Sequence, residues 1–433
     1  MSKLTGRIMV AFAIWCLVIA VSFVLINLAS GKIFNKPANG KNRQASRAEI
    51  HDRNDSVLAY GPSDDRHYPS GPIASHFTGF VHPDIGTGGI IEMNYADRLV
   101  SNKMAKLMYF KRNENLENSS ITTTLDLKLQ KALYESLGDR GAITVINAAT
   151  GEVLAMISKP SFDPNSVTKD WDRLNSMQGE DAPLFNKALR GKFPPGSVMK
   201  VIDALAFVDE TEKPVLCKGA VTVSGKTIKC SHIHGRMTLR EAFAKSCNVY
   251  FITRAMQEVK SSEFSNILSK FASKKVPDKM SKWNYALSVV GQGPALMSPA
   301  EGALLAASVI NAGKRPGLTY IKGEKARSDT VMSARHAMIL RDYMTEVVKT
   351  GTARQLHRFL KSGSVGVKTG TAQIQLKNGS LKNIAWMIGF AQADGDPIAF
   401  AVVVENTDSF ASESCSPIVA KILVYCFDRN KGK

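Results

Sequence analysis

The chain is poor in cysteine and in acidic residues, and it lacks a second long apolar run. Six cysteines in 433 residues are too few for a disulfide scaffold, so a packed core must hold the fold. Lys and Arg number 56 against 38 Asp and Glu, a formal net charge of +18. Such an excess points to an anionic partner, either membrane headgroups or an acidic polymer. No basic run is interleaved with aromatics and no zinc-finger spacing occurs, so nucleic acid is not expected. Internal repeats and low-complexity tracts are absent too. Apolar residues make up 44% and charged residues 22%, ordinary globular values that exclude wholesale disorder. The length leaves room for two or three domains of about 100–200 residues.

The long apolar run lies at the N-terminus. From Ile8 to Gly31 there is no Asp, Glu, Lys or Arg. As a helix, Ile8 to Leu28 would span about 31 Å, the thickness of one bilayer core. A cleaved signal peptide ending near Ala29-Ser30-Gly31 is the alternative, but its apolar region is usually about 7–15 residues. An uncleaved single-pass anchor is therefore expected. Lys3 and Arg7 precede the span while Lys32, Lys36, Lys41 and Arg43 follow it, so charge leaves the orientation open. The expected organisation is a tail (1–7), an anchor (8–31), a linker and short non-catalytic pedestal (32–135), and a catalytic domain (136–433).

Gly, Pro and Ser crowd His67 to Gly89, which predicts loops and short strands. Leu125, Leu129, Ala132, Leu133 and Leu137 fall at helical spacing. Ala142–Ile146 and Val153–Ile157 flank the turn Asn147–Gly151 and read as a β-hairpin. Helical patterns follow at about 197–210, 238–259, 263–274, 299–311 and 333–349. Strands are expected at 365–374, 384–391 and 398–405, and a closing helix at about 416–427. This order predicts an α+β sandwich: one mainly antiparallel sheet with helices on both faces.

Three short motifs carry chemistry. Ser197-Val198-Met199-Lys200 follows Phe193-Pro194-Pro195-Gly196 and opens an apolar helix, so Ser197 and Lys200 share a face one turn apart. At a helix start, free backbone N–H groups can hold an oxyanion. Serine is a weak nucleophile until a base takes its proton, and lysine is such a base only when burial or a nearby cation lowers its pKa. By itself Ser197 reads equally well as a helix N-cap. A second copy, Ser166-Val167-Thr168-Lys169, sits in a polar stretch and leads into no apolar helix. Ser246-Cys247-Asn248 interrupts a helical pattern. Its serine could relay a proton and its amide could hold a substrate carbonyl, although alone it also reads as a solvated helix turn. Lys-Thr-Gly-Thr-Ala occurs twice. The copy at Lys349–Ala353 closes a helix. The copy at Lys368–Ala372 runs along a strand, where Lys368 could bind a carboxylate and Gly370 lets backbone approach a ligand.

Ser-x-x-Lys, Ser-x-Asn and Lys-Thr-Gly in this order, 49 and then 122 residues apart, resemble the motif set of β-lactamases and penicillin-binding proteins. The chain resembles a class B penicillin-binding protein over roughly residues 48–427. Arg53–Ala59, Thr122–Asp126, Ala148–Ala155, Gly291-Gln292-Gly293 and Trp386–Ala391 match that family as well. The resemblance implies a membrane-anchored peptidoglycan D,D-transpeptidase in the bacterial inner membrane, with its bulk outside the cytoplasm. Ser197 would be acylated, with Lys200 as its base. Ser246 and Asn248 would line the cleft, Lys368 to Thr371 would form the substrate strand, and backbone N–H groups of Ser197 and Thr371 the oxyanion hole. Its substrates would be stem peptides on lipid II-derived glycan strands, its inhibitors β-lactam antibiotics, and its membrane partner a SEDS-type glycan polymerase. A serine β-lactamase or β-lactam sensor of the same fold is the alternative. Val198-Met199 replaces the more usual Thr-Phe, and the pedestal is shorter than in many members.

No metal or cofactor is expected. Cys230, His232 and His234 resemble part of a ligand set, but a fourth ligand is not evident. Cys217 and Cys230 could form a disulfide, and Cys247 reads as a small packed residue.

Overall fold

In a computed structural model of the chain, residues 47–100, 120–179, 182–273, 276–376 and 378–428 are described. The expected anchor at 8–31 and most of the linker lie outside them. No helix among the described residues is long and apolar enough to cross a membrane.

The centre is a five-stranded sheet, antiparallel throughout. Its order is Ser364–Gln375, Leu381–Gln392, Ile398–Thr407, Gly141–Asn147, Val153–Lys159. The run Ile384-Ala-Trp-Met-Ile-Gly-Phe-Ala391 is buried throughout, as a strand covered on both faces requires. Helix Pro299–Ile310 packs on one face. Gly302 is needed there, because a Cβ would come 3.0 Å from Ile388 and 3.2 Å from Trp386 and Ala401. Helices Leu127–Ser136 and Ser416–Asp428 pack on each other and on the sheet. The α+β sandwich expected from the sequence is therefore present. A boundary at 135/136 would part the first of these helices from the sheet on which it rests.

Two expectations change. His67 to Gly89 contains a short helix, Ser75–Thr78, beside its strands Phe80–His82 and Gly86–Gly88. The pedestal, moreover, is fused to the catalytic unit: Ile50, Leu58, Phe77, Phe80, Ile91 and Leu99 belong to the same apolar core as the sheet. Asp52 Oδ2 accepts the backbone N–H of Leu127, and Arg53 reaches Glu152 at 3.4 Å. Inside the pedestal, fully buried Glu92 takes Arg47 on one carboxylate oxygen (2.5 Å) and Arg66 on the other (2.9 Å). Such a triad fixes geometry, since removing the acid would leave two buried cations.

Candidate active site

Ser197 lies in the 3-10 turn Gly196–Met199, which passes directly into helical residues Lys200–Asp203 and a further 3-10 turn at Ala204–Ala206. The expected helix at 197–210 is thus a composite of tight turns. Its tightness brings Lys200 Nζ to 2.8 Å from Ser197 Oγ. The same ammonium group contacts Ser246 O (2.9 Å), Ser246 Oγ (3.1 Å) and Asn248 Oδ1 (2.7 Å). Lys368 Nζ approaches from the edge strand, 3.2 Å from Ser246 Oγ and 3.0 Å from Thr369 O. All three motifs therefore converge on one point. Both lysines are fully buried, whereas Ser197, Ser246, Asn248 and Thr371 remain partly accessible.

Burial sets the protonation. Desolvation lowers the Lys200 pKa to about 8, against upward pulls from Cys247, Cys230 and Asp203. Desolvation, reinforced by the Lys200 charge, holds Lys368 well below the usual lysine range. Two ammonium groups sharing one serine hydroxyl in a buried site cannot both stay charged at neutral pH.

Backbone geometry positions these groups. Ser246 adopts φ 58°, the left-handed conformation that usually takes glycine at a helix end. This breaks the expected helix at 238–259 into Leu239–Ala244 and Asn248–Glu258. The break aims the Ser246 carbonyl and hydroxyl at Lys200. Gly370 lets the edge strand touch the Ser197 turn, since a Cβ there would come 2.5 Å from Pro195 O. Gly291, at φ 70°, donates no side chain because a Cβ would overlap Gly196 O. Gly291→Ala should therefore lower the melting temperature and slow acylation of Ser197 at least about tenfold through misplacement of its turn. Equal stopped-flow acylation rates for the two proteins would refute that account.

The first Lys-Thr-Gly-Thr-Ala copy ends helix Ala334–Lys349, and Lys349 is exposed. Sequence reasoning missed that its Thr352 hydroxyl pairs with Thr369 Oγ1 at 2.5 Å. Thr371 Oγ1 in turn accepts the N–H of Ala411. The Ser166 hydroxyl instead donates to Asp170 Oδ2 at 2.9 Å.

Asp203, one turn beyond Lys200, was also missed. Its carboxyl faces an apolar cavity lined by Phe207, Ala255, Phe264 and Tyr285, and neither oxygen has a partner. Burial raises its pKa well above the ordinary value. The unfolded chain releases this proton near pH 4, so stability is lost as pH rises from there towards the folded pKa. Asp203→Asn should raise the neutral-pH melting temperature by at least about 2 °C, with the gain vanishing near pH 4. Calorimetry at both pH values checks this.

The chain belongs to the penicillin-binding protein family: the profile of the "Penicillin binding protein transpeptidase domain" matches residues 141–424. Among its relatives, the peptidoglycan D,D-transpeptidase MrdA of Acinetobacter baumannii is 26% identical over 428 residues, covering 79% of this chain and 63% of that protein. The peptidoglycan D,D-transpeptidase PbpA of Mycolicibacterium smegmatis is 24% identical, covering 84% of this chain and 85% of the relative. The crystal structure of Pseudomonas aeruginosa PBP2 in complex with WCK 5153 aligns with a TM-score of 0.72 at 27% identity, over 88% of this chain and 96% of that one. The imipenem acyl-enzyme complex of Mycobacterium tuberculosis penicillin-binding protein A shares the fold, with a TM-score of 0.75 at 22% identity over 88% and 99% of the two chains.

Proposed function

We propose that this chain is a class B peptidoglycan D,D-transpeptidase that works through a Ser197 acyl-enzyme. The observation that carries the reading is Lys200 Nζ at 2.8 Å from Ser197 Oγ within a ring formed by Ser246, Asn248 and Lys368. Lys200, neutral, accepts the Ser197 proton as Oγ attacks the penultimate D-Ala carbonyl of a stem peptide. Backbone N–H groups of Ser197 and Thr371 take the developing oxyanion. Lys368, with Thr369 and Thr371, receives the terminal carboxylate, while Gly370 keeps the strand close. Ser246 relays the proton from Lys200 to the departing D-Ala nitrogen, and Asn248 holds the substrate amide. An amine from a neighbouring stem peptide then attacks the acyl-enzyme, releases Ser197 and closes the cross-link.

Intact-mass spectrometry with penicillin, followed by peptide mapping, tests this. One adduct per chain on Ser197, stable for hours, is expected. Hydrolysis of the antibiotic within minutes would instead make the protein a β-lactamase, and an adduct on another residue would reject the assignment.

The 21 uncharged residues from Ile8 to Leu28, all apolar except Ser22 and Asn27, support a single-pass anchor in the bacterial inner membrane with the catalytic unit outside the cytoplasm. Protease digestion of intact spheroplasts should degrade that unit, and its protection would exclude the topology. The pedestal's exposed Tyr60 and Met93 support docking of a SEDS-type glycan polymerase. Unchanged co-purification of the polymerase after Met93→Glu and Tyr60→Glu together would remove that support.

A further inference from the structure

Cys217, the pair Cys230 and His234 on one loop, and Cys247 come from three separate segments, yet their ligand atoms all lie within 4.8 Å of one another. Cys230 Sγ is 3.8 Å from both Cys217 Sγ and Cys247 Sγ, and Cys217 Sγ is 3.4 Å from His234 Nδ1. A disulfide requires an S–S distance of about 2.0 Å, so the pairing of Cys217 with Cys230 that the sequence left open is not formed. All three cysteines are free thiols. A tetrahedral zinc ion has Zn–S of about 2.3 Å and Zn–N of about 2.0–2.1 Å, which makes the edges of the tetrahedron about 3.8 Å for S–S and about 3.5 Å for S–N. Three of the six separations, the two S–S distances of 3.8 Å and the S–N distance of 3.4 Å, match those edges, and the other three lie within 4.8 Å.

We propose that these four residues form a structural Zn²⁺ site of Cys₃His type. The sequence points to Cys230, His232 and His234 without a fourth ligand. The fold excludes His232, whose side chain is exposed, and adds Cys217 and Cys247 from either side. Three soft thiolates and one imidazole in tetrahedral array favour zinc over hard cations, and four protein ligands leave no open position for catalysis. The surroundings suit thiolates. Val249 N–H donates to Cys230 Sγ and Tyr250 N–H to Cys247 Sγ, each at 3.4 Å. Both donors belong to the first turn of helix Asn248–Glu258, with Cys247 as its N-cap. Cys217 and Cys247 are buried while Cys230 and His234 are partly accessible, which provides an entry path for the ion.

The ion would supply what this region lacks. Residues 215–237 form two small ribbons, Val215–Cys217 with Gly235–Met237 and Ala220–Val223 with Lys226–Lys229. Half of their side chains are exposed, and two-stranded ribbons are barely stable alone. Zinc would fasten both ribbons to the start of helix Asn248–Glu258. That junction reaches the active site. Asn248 Nδ2 donates to Lys229 O at 2.9 Å while its Oδ1 faces Lys200 Nζ at 2.7 Å. Cys230 follows Lys229 directly and Cys247 precedes Asn248, so the ion would clamp both ends of the bond that orients the Asn248 amide. Zinc is here a positioning element. Its effect on acylation rests on the transpeptidase reading, whereas its binding does not.

The test uses the full chain, purified in detergent without chelators. Inductively coupled plasma mass spectrometry should find one zinc per chain. Zinc content should fall at least about tenfold in Cys217→Ser and Cys230→Ser, the scale of a damaged coordination shell, and persist in His232→Ala. Co²⁺ exchanged into the wild-type protein should show the visible bands of a tetrahedral thiolate complex. Because a serine variant could fail to fold, the wild-type chain is also stripped with a chelator and reloaded. Penicillin acylation should slow at least about tenfold on stripping and return with Zn²⁺. Acylation unchanged by stripping, with zinc still at one per chain beforehand, would remove the positioning role. A zinc-free protein that takes up none from buffered zinc would overturn the site, as would a chain two hydrogens lighter through a Cys–Cys bond. Undiminished zinc in both serine variants would overturn it as well.

Discussion

Ser197→Ala should abolish the penicillin adduct, slowing acylation at least about 10⁴-fold, the scale on which a serine nucleophile is lost. The hydroxyl is the group that Lys200 addresses at 2.8 Å, and no other contact of Lys200 is an unshared nucleophile: Ser246 Oγ is held between both lysines, and the remaining two are carbonyl oxygens. Removing one partly accessible oxygen leaves Lys200 with its contacts to Ser246 and Asn248, so the fold should keep its stability to within about 1 kcal/mol. Ser166→Ala serves as the comparison. Its hydroxyl bonds Asp170, not an amine, and the adduct should form at the wild-type rate. Intact-mass measurement of the three proteins decides the matter, and an adduct that persists in Ser197→Ala would place the nucleophile elsewhere.

The two lysines should separate in an equally large way. Lys368→Ala should slow acylation at least about 10²-fold, as expected for a lost positioning and charge-stabilising contact. Lys349→Ala, in the other copy of the same five residues, should leave it unchanged, because that side chain is exposed at a helix end. The pH profile carries the same logic. Lys200 must be neutral to act as a base, so acylation per unit of free enzyme should fall about tenfold for each pH unit below its pKa of about 8. A β-lactam or stem-peptide carboxylate at Lys368 stabilises an ammonium there, and that charge opposes one on Lys200. Substrate binding would thus help deprotonate its own base. The inflection at saturating β-lactam should then lie below that of the free enzyme, each belonging to the lysine pair as a whole. Coincident inflections, or equal rates in the two alanine variants, would contradict this arrangement.

Much of this was legible in the sequence, for physical reasons that can be named. Strands buried on both faces read as continuous apolar runs, so 142–146, 384–391 and 398–405 were found within a few residues. Helix Ala334–Lys349 was legible from the apolar stripe in the pattern at 333–349, while its Ser333 cap came only with the structure. The motif residues converge because each sits at the end or the edge of an element that the pattern reveals. Helix Lys282–Val289 was missed, since its eight residues carry too little periodicity. Single-residue conformations escaped as well: nothing in Ser246-Cys247-Asn248 announces a left-handed serine. Purely tertiary meetings were also hidden. Glu92 meets Arg47 and Arg66 from distant segments, Thr352 meets Thr369 across two copies of one motif, and Cys217 lies two hairpins away from Cys247. Such contacts depend on how elements pack, and spacing along the chain does not encode them.

The left-handed serine at position 246 sets selection for stability against selection for activity. A residue with a Cβ in that conformation costs about 1–2 kcal/mol relative to its relaxed form, a cost that glycine escapes. Ser246→Gly would therefore give a chain that melts higher while its lysines have lost the hydroxyl they share. Laboratory evolution for heat resistance alone would drift towards that glycine and return a sturdier, inactive protein. A thermostable form of this enzyme has to draw its gains from positions far from the break between the two helices.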